Sequence, residues 1–254
     1  LTEELRIVWA LFDSETATVA KALPECEVYS FGKGSGTEHI DLDLSDFETA
    51  KKVLDTYPKP DVIFASPPCE SWVDVSKGSK GRFTQEKGYN LFWKEKWIAF
   101  DFLPRFKETR LNGIATALTT AAIIEHYKPK FWAIENGKTS WIFDYIEEFS
   151  NLTKYNGGGV RNMCNYYSYG FNVLKKTIIY SNKFLCLKNL RPDRLLFSVT
   201  DNERGEYRKF KKEFGLTRRK PSYKERSMVP VGLYQDIMRQ FRHNGQPRLF
   251  EGEL

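Results

Sequence analysis

The sequence predicts an α/β domain: a mostly parallel sheet with helices packed on both faces. Three observations predict it. Strand-like and helix-like segments alternate through the first half of the chain. The strand-like runs include continuous apolar stretches, the pattern of strands covered on both sides. The 254 residues are 41% hydrophobic, enough for one large domain or a domain with a small lobe.

Taken in order, "RIVWALF" (Arg6–Phe12) is the first strand and "TVAKAL" (Thr18–Leu23) a short helix. "EVYSF" (Glu27–Phe31) is a second strand bounded by the glycine-rich "GKGSG", and "HIDLDL" (His39–Leu44) a third. "DFETAKKVLDTY" (Asp46–Tyr57) reads as a helix, with Ser45 or Asp46 as N-cap. "PDVIFAS" (Pro60–Ser66) is a fourth strand, "GIATALTTAAIIEHY" (Gly113–Tyr127) a helix, "KFWAIEN" (Lys130–Asn136) a fifth strand and "TSWIFDYIEEF" a closing helix. Two stretches break the alternation and read as long irregular segments, 73–112 and 183–226.

Charge is unevenly spread. Residues 1–60 hold six Lys/Arg and twelve Asp/Glu, a local balance of −6. Residues 77–110 hold nine basic and four acidic side chains (+5), and residues 204–226 ten and three (+7). Two basic segments on an acidic or neutral body suit a polyanion partner; the alternative is two solvated loops. No apolar run reaches the ~18 residues of a membrane span, and the acidic start "LTEEL" is unlike a signal peptide. The expectation is a cytoplasmic protein without a membrane role.

The four cysteines, Cys26, Cys69, Cys164 and Cys186, show no C-x-x-C spacing and no clustering with His39, His126 or His243, so no metal site is expected. Cys26 and Cys186 are expected to be small buried hydrophobes. Cys69 differs. It follows a strand within "SPPCESW", where two prolines stiffen the turn and aim the thiol. In a parallel sheet, ligands sit beyond the carboxyl ends of the strands. Asp13, Cys69, Glu135 and Asn136 all fall on that rim. A thiol and a carboxyl group on neighbouring strand ends suit addition to an electron-poor ring, the sulfur attacking a ring carbon and the acid answering charge on a ring nitrogen.

These residues carry a resemblance. "DVIFASPPCESW" resembles the Pro-Cys catalytic motif of the DNA cytosine-5 methyltransferases, and "FWAIENG" their Glu-Asn motif. "LFDSETATVAKAL" resembles their opening cofactor loop, "YSYGFNVLKKTIIYSN" the strand pair carrying their Gln-x-Arg-x-Arg motif, and "RSMVPVGLYQDI" their C-terminal helix start. The matches come in the family's order and are most similar to its short phage and mobile-element forms.

The resemblance implies a Rossmann-like S-adenosylmethionine-dependent methyltransferase sheet with a small, basic target-recognition lobe. It implies a catalytic domain over 1–182 with 73–112 as a basic insertion, a recognition region over 183–226, and a C-terminal helix within 227–254. Cys69 would attack C6 of a cytosine flipped out of double-stranded DNA, Glu135 would hold the N3 and amino edge, Asn136 would brace the loop, and Lys175 would stand for an arginine. Phe12, Asp13, Ser14, Thr16, Thr18, Asp43, Pro67 and Ser227 would line the S-adenosylmethionine pocket, with a surface role near the helix cap as the alternative for Asp43. Lys77, Lys80, Arg82, Arg218, Arg219 and Lys220 would contact DNA. The implied setting is a monomer in a bacterial or phage-infected cell, in a restriction–modification or related role. The same fold admits two other readings: a catalytically degenerate DNA-binding or decoy protein, or the same chemistry on tRNA.

The chain departs from the family pattern at named places. The family's Phe-x-Gly-x-Gly loop reads "FDSETAT", with no glycine. The acid expected after the second strand is replaced by Gly32 and Lys33. The Gln-x-Arg-x-Arg positions fall on Val173, Lys175 and Thr177, and Lys175 lacks the planar fork of arginine.

Overall fold

A computed structural model describes residues 4–13, 17–34, 40–72, 88–93, 96–101, 104–152, 159–171, 175–190 and 228–243, with the backbone alone over 88–107. Strands β1 (Ile7–Leu11), β2 (Glu27–Gly32), β3 (Ile40–Asp41), β4 (Val62–Ala65), β7 (Phe131–Gly137), β8 (Val160–Asn165) and β9 (Lys176–Ser181) form one seven-stranded sheet in the order β3-β2-β1-β4-β7-β9-β8. The pairs from β3 through β7 are parallel; β9 runs antiparallel to both β7 and β8. The expected Rossmann-like α/β sheet is thus the one found. The order reverses at β1, which lies between β2 and β4, so the crevice of the sheet opens at the carboxyl ends of β1 and β4.

Burial explains the apolar runs. Val8, Trp9, Ala10 and Leu11 are all buried, and so is every residue of β4. Trp9, Leu11, Ile63, Trp132 and Ile134 point to one face, where α2 (Phe47–Leu54), α3 (Pro104–Tyr127) and α4 (Ile142–Phe149) cover them. Val8, Ala10, Val62, Phe64 and Phe131 point to the other, under α1 (Thr18–Ala22) and α5 (Val231–Arg242). On that face Phe241 stacks on Phe131 at 4.7 Å and Tyr234 meets Phe64 edge-on at 5.1 Å, tying α5 to the middle of the sheet.

Local signals set the helix ends. Asp46 caps α2 by accepting from the Thr49 amide at 2.9 Å. Helix α3 has Pro104 as its first residue and ends before Lys128, which takes a left-handed φ of 49° and is followed by Pro129.

The stretch 73–112 is more regular than its sequence predicts. It contains an antiparallel hairpin, β5 (Gly88–Trp93) with β6 (Lys96–Asp101), and the first nine residues of α3. The sequence reading starts that helix at Gly113, because the charged run before it shows no apolar period. Strand β3 is shorter than predicted, since it sits at the sheet edge with one partner. Residues 183–190 run along the body: Leu185 is buried, and the Cys186 amide donates to Gln240 of α5 at 2.8 Å. The basic segment 204–226 lies outside the described residues.

Candidate active site

The loop after β4 is held from both ends. At its start, Asn136 of β7 donates from Nδ2 to the Pro67 carbonyl at 3.0 Å and accepts from the Gly137 amide at 3.1 Å. Asn136 and Pro67 are both buried. The register that aligns Ala65 with Ile134 makes this reach possible, placing Pro67 level with Asn136. At the far end the chain turns, with the Trp72 amide donating to the Cys69 carbonyl at 3.0 Å. Ser71 donates from Oγ to the Thr109 carbonyl at 2.7 Å, and Arg110 donates to the Ser71 carbonyl. Arg110 is buried over the Trp72 ring, and burial pulls its guanidinium down to about 10. Gly113 allows α3 this close, because a Cβ there would meet Ser71 Oγ at 2.5 Å.

Cys69 sits at the apex of this loop, exposed on its open side. The surrounding protein and then the Glu135 carboxylate push its thiol above its ordinary pKa, while Lys175 pulls the other way. Glu135, at the end of β7, is 9% exposed. Its Oε1 accepts from the Tyr166 hydroxyl at 2.5 Å and lies 3.4 Å from Lys175 Nζ. The Lys175 ammonium also lies 4.5 Å from the centre of the Tyr166 ring. Glu135 and Lys175 are therefore in contact, with Asn136 next to Glu135 on β7 and Cys69 on the loop that Asn136 holds. Tyr166 joins them and was not predicted. No local pattern marks it, since its contact with Glu135 spans 31 positions.

The rim of β1, β2 and β3 is built differently. Phe12 turns out of β1 with a φ of 59° and donates its amide to the Phe31 carbonyl at 2.7 Å. Ala17, just before α1, has a φ of 46°. Each end of the glycine-free loop thus carries a left-handed non-glycine residue. Asp13 turns inward, accepting from Ser30 Oγ at 2.9 Å and the Val19 amide at 3.3 Å. Thr18 is buried. Asp43 is half exposed and pairs with Lys33 Nζ at 2.9 Å. The Ser45 hydroxyl and then Lys33 hold its carboxyl below the usual range.

Tested against this donor set, S-adenosylmethionine meets groups that are already engaged: Phe12 packs against the core, Pro67 is buried, and Asp43 accepts from the Ser45 amide at 2.9 Å and pairs with Lys33. At the tip of β2 the fit fails, because a cation, Lys33, stands where ribose hydroxyls would need an acceptor.

Ser14, Thr16, Ser227, Lys77, Lys80, Arg82, Arg218, Arg219 and Lys220 lie outside the described residues. Cys186 is exposed and Cys26 half-buried, against the sequence reading; the chain at 183–190 lies on the surface, where only alternate side chains are covered. The buried thiol is Cys164, pushed up to about 12 by its burial. Among the described residues no group of three or more His, Cys, Asp or Glu side chains could hold a metal ion, and no helix is long and apolar enough to cross a membrane.

No protein-family profile and no curated protein matches the chain. Solved structures do. A methyltransferase of Entamoeba histolytica is 13% identical with a TM-score of 0.46, over 75% of this chain and 58% of that one. A protein described as a DNA modification methyltransferase encoded within an E. coli prophage is 13% identical with a TM-score of 0.37, over 70% and 46%. The S. pombe Dnmt2 methyltransferase is 9% identical with a TM-score of 0.39, over 81% and 54%. The chain spans about half the length of these proteins. Such shallow likenesses leave the function to be read from the chain's own residues.

Proposed function

We propose that this chain is an S-adenosylmethionine-dependent methyltransferase acting on C5 of cytosine in DNA. The observation that carries the reading is the Cys69–Glu135 pair: a thiol and a carboxyl group on adjacent strand ends, the first on a loop pinned by Asn136, the second gripped by Lys175. Cys69 gives up its thiol proton, its Sγ adds to C6 of an extruded cytosine, and the electron pair of the 5,6 double bond moves into the ring. Glu135 meets the N3 and amino edge, takes the thiol proton and passes it to N3, answering the charge that develops there. When bound, the cofactor would supply the methyl group for C5. A water molecule acting as base then takes the C5 proton; the pair left behind re-forms the 5,6 double bond and expels the sulfur, and the N3 proton returns to Cys69 through Glu135. Phe12, Pro67 and Asp43 are the described residues that would hold the cofactor.

Extruding a paired base costs a few kcal/mol, and Lys77, Lys80, Arg82, Arg218, Arg219 and Lys220 would offset part of it through phosphate contacts.

A pool of random-sequence duplexes containing 5-fluorocytosine tests the reading. With cofactor present, a covalent complex on Cys69 is expected. Cys69→Ala should bind the same DNA without forming it. If no duplex is trapped, the proposal fails. A second reading, a DNA-binding or decoy protein on the same fold, is favoured by the Lys33–Asp43 pair and the inward-turned Asp13. It expects no calorimetric heat with millimolar S-adenosylmethionine. Trapping on 5-fluorocytidine tRNA alone would move the chemistry to RNA.

A further inference from the structure

The sequence leaves the grip on Glu135 incomplete. The family pattern offers two arginines, where this chain has Lys175 and Thr177. Thr177 is buried and its hydroxyl points back to the Lys175 carbonyl at 3.4 Å, so it gives Glu135 nothing. Lys175 gives a point charge at 3.4 Å, at the long end of a hydrogen bond, without the directional fork of a guanidinium. Tyr166 supplies what is missing. It is fully buried, and its hydroxyl donates to the same Oε1 at 2.5 Å.

The backbone fixes this donor in advance. Asn165 opens a 3-10 turn over Tyr166–Tyr169 by accepting from the Tyr167 amide, and Gly170, with φ of 81°, closes it. The Tyr166 amide donates to the Lys175 carbonyl at 3.1 Å, and the Phe171 amide donates to the Tyr166 carbonyl at 3.2 Å. Phenol and ammonium are thus locked to one another before either meets Glu135, and the ring face carries the ammonium at 4.5 Å. Both contacts fall on Oε1, so Oε2 is the oxygen left for the cytosine edge.

We propose that Tyr166 is a positioning residue for Glu135: with Lys175 it forms a composite clamp that sets the orientation of the carboxyl group. The role of the clamp in methylation rests on the function proposed above; its effect on Glu135 does not. Among the described residues, the Glu135 charge also reaches Cys69 on the β4 loop, Cys164 on β8 and Tyr234 on α5. None of them donates a hydrogen bond to it in the way the phenol does.

The test follows the Glu135 side-chain carboxyl directly, by 13C NMR of protein labelled at glutamate, with Glu135→Gln assigning the signal. The phenol donates to Oε1 at 2.5 Å, so Tyr166→Phe should move the Glu135 carboxyl resonance at fixed pH. A 3-fluorotyrosine at position 166 keeps shape and packing but donates more strongly, and should move it in the opposite direction. That arm remains decisive if Tyr166→Phe does not fold. An unchanged resonance in folded protein overturns the clamp. In the trapping assay Tyr166→Phe should slow adduct formation with little change in DNA affinity, whereas a merely structural role would move neither the resonance nor this split. If wild-type protein traps nothing while the resonance still moves, the methylation reading fails and the clamp stands. Trapping without any such change gives the reverse.

Discussion

On the β4–β7 side of the rim, hydrogen bonds hold the loop and Glu135. Asn136 pins Pro67, Arg110 and Ser71 pin the end of the loop, and Tyr166 and Lys175 share one oxygen of Glu135. On the β1–β3 side the described polar groups answer one another. Asp13 accepts from Ser30, Asp43 pairs with Lys33, and Phe12 and Ala17 hold left-handed backbone that costs L-residues about 1–2 kcal/mol each. One half holds the Cys69 loop and the Glu135 carboxyl group through hydrogen bonds; the other carries left-handed backbone and an exposed ion pair. A nucleophile must be aimed to tenths of an ångström, whereas a ligand cradle can trade one polar partner for another.

The largest expected effect falls on the organised half. Glu135→Gln should slow base trapping by 10²–10⁴-fold, the usual worth of a general acid. The same change should act in the opposite direction on a small electrophile. Removing the carboxylate relieves the charge that raises the Cys69 thiol, so more thiolate is present at any pH below its midpoint. Alkylation of Cys69 by iodoacetamide, followed in a background without Cys26 and Cys186, should therefore speed up and its pH profile shift downward. A variant slower in both reactions would mean that Glu135 supports the loop and not the base, and the contrast between the halves would lose its basis.

The next effect probes the cradle. The Lys33–Asp43 pair is exposed, with side chains 69% and 48% accessible, so replacing it should cost little stability. Lys33→Glu returns an acceptor to the tip of β2. It should tighten binding of S-adenosylhomocysteine about tenfold by calorimetry, the worth of one charge-assisted hydrogen bond. Unchanged or weaker binding would mean that the adenosyl ligand lies elsewhere, or that the cradle takes a different ligand.

Much of this arrangement was legible before the structure. Runs such as "RIVWALF" and "PDVIFAS" can be satisfied only by strands covered on both faces, and that fixed the sheet and hence the rim. Cys69, Glu135 and Asn136 were legible because each follows such a run directly. The β5–β6 hairpin was not, because Lys94 and Glu95 between its strands carry no Asn-Gly turn signal. Tyr166 was not, because "YYSY" gives no reason to single out one of three tyrosines; only the turn at Gly170 aims it at a strand 31 positions away. The inward turn of Asp13 was equally hidden, since its partner Ser30 lies on the next strand. Sequence shows which strand end a residue occupies, while its partner across the rim depends on loop geometry that has no local period.

The smallest effect compares strain at two places with nearly equal backbone angles. Lys128, φ 49°, is exposed at the end of α3, where a left-handed residue is routine and glycine is favoured. Lys128→Gly should raise stability by roughly 0.5–1 kcal/mol, a gain of about 1–4 °C in melting temperature for a chain of this size. Ala17, φ 46°, is 1% exposed in the cradle. Ala17→Gly relieves the same angle but removes a buried methyl group worth about 0.8 kcal/mol, so its net effect should be near zero. A gain at Ala17 equal to that at Lys128 would mean that its methyl contributes no packing. A clearly larger gain would mean that the whole loop, and not one dihedral angle, is strained without ligand. In that case S-adenosylmethionine should bind wild-type and Ala17→Gly proteins with measurably different affinity, because a ligand that relieves strain gains most where strain is greatest.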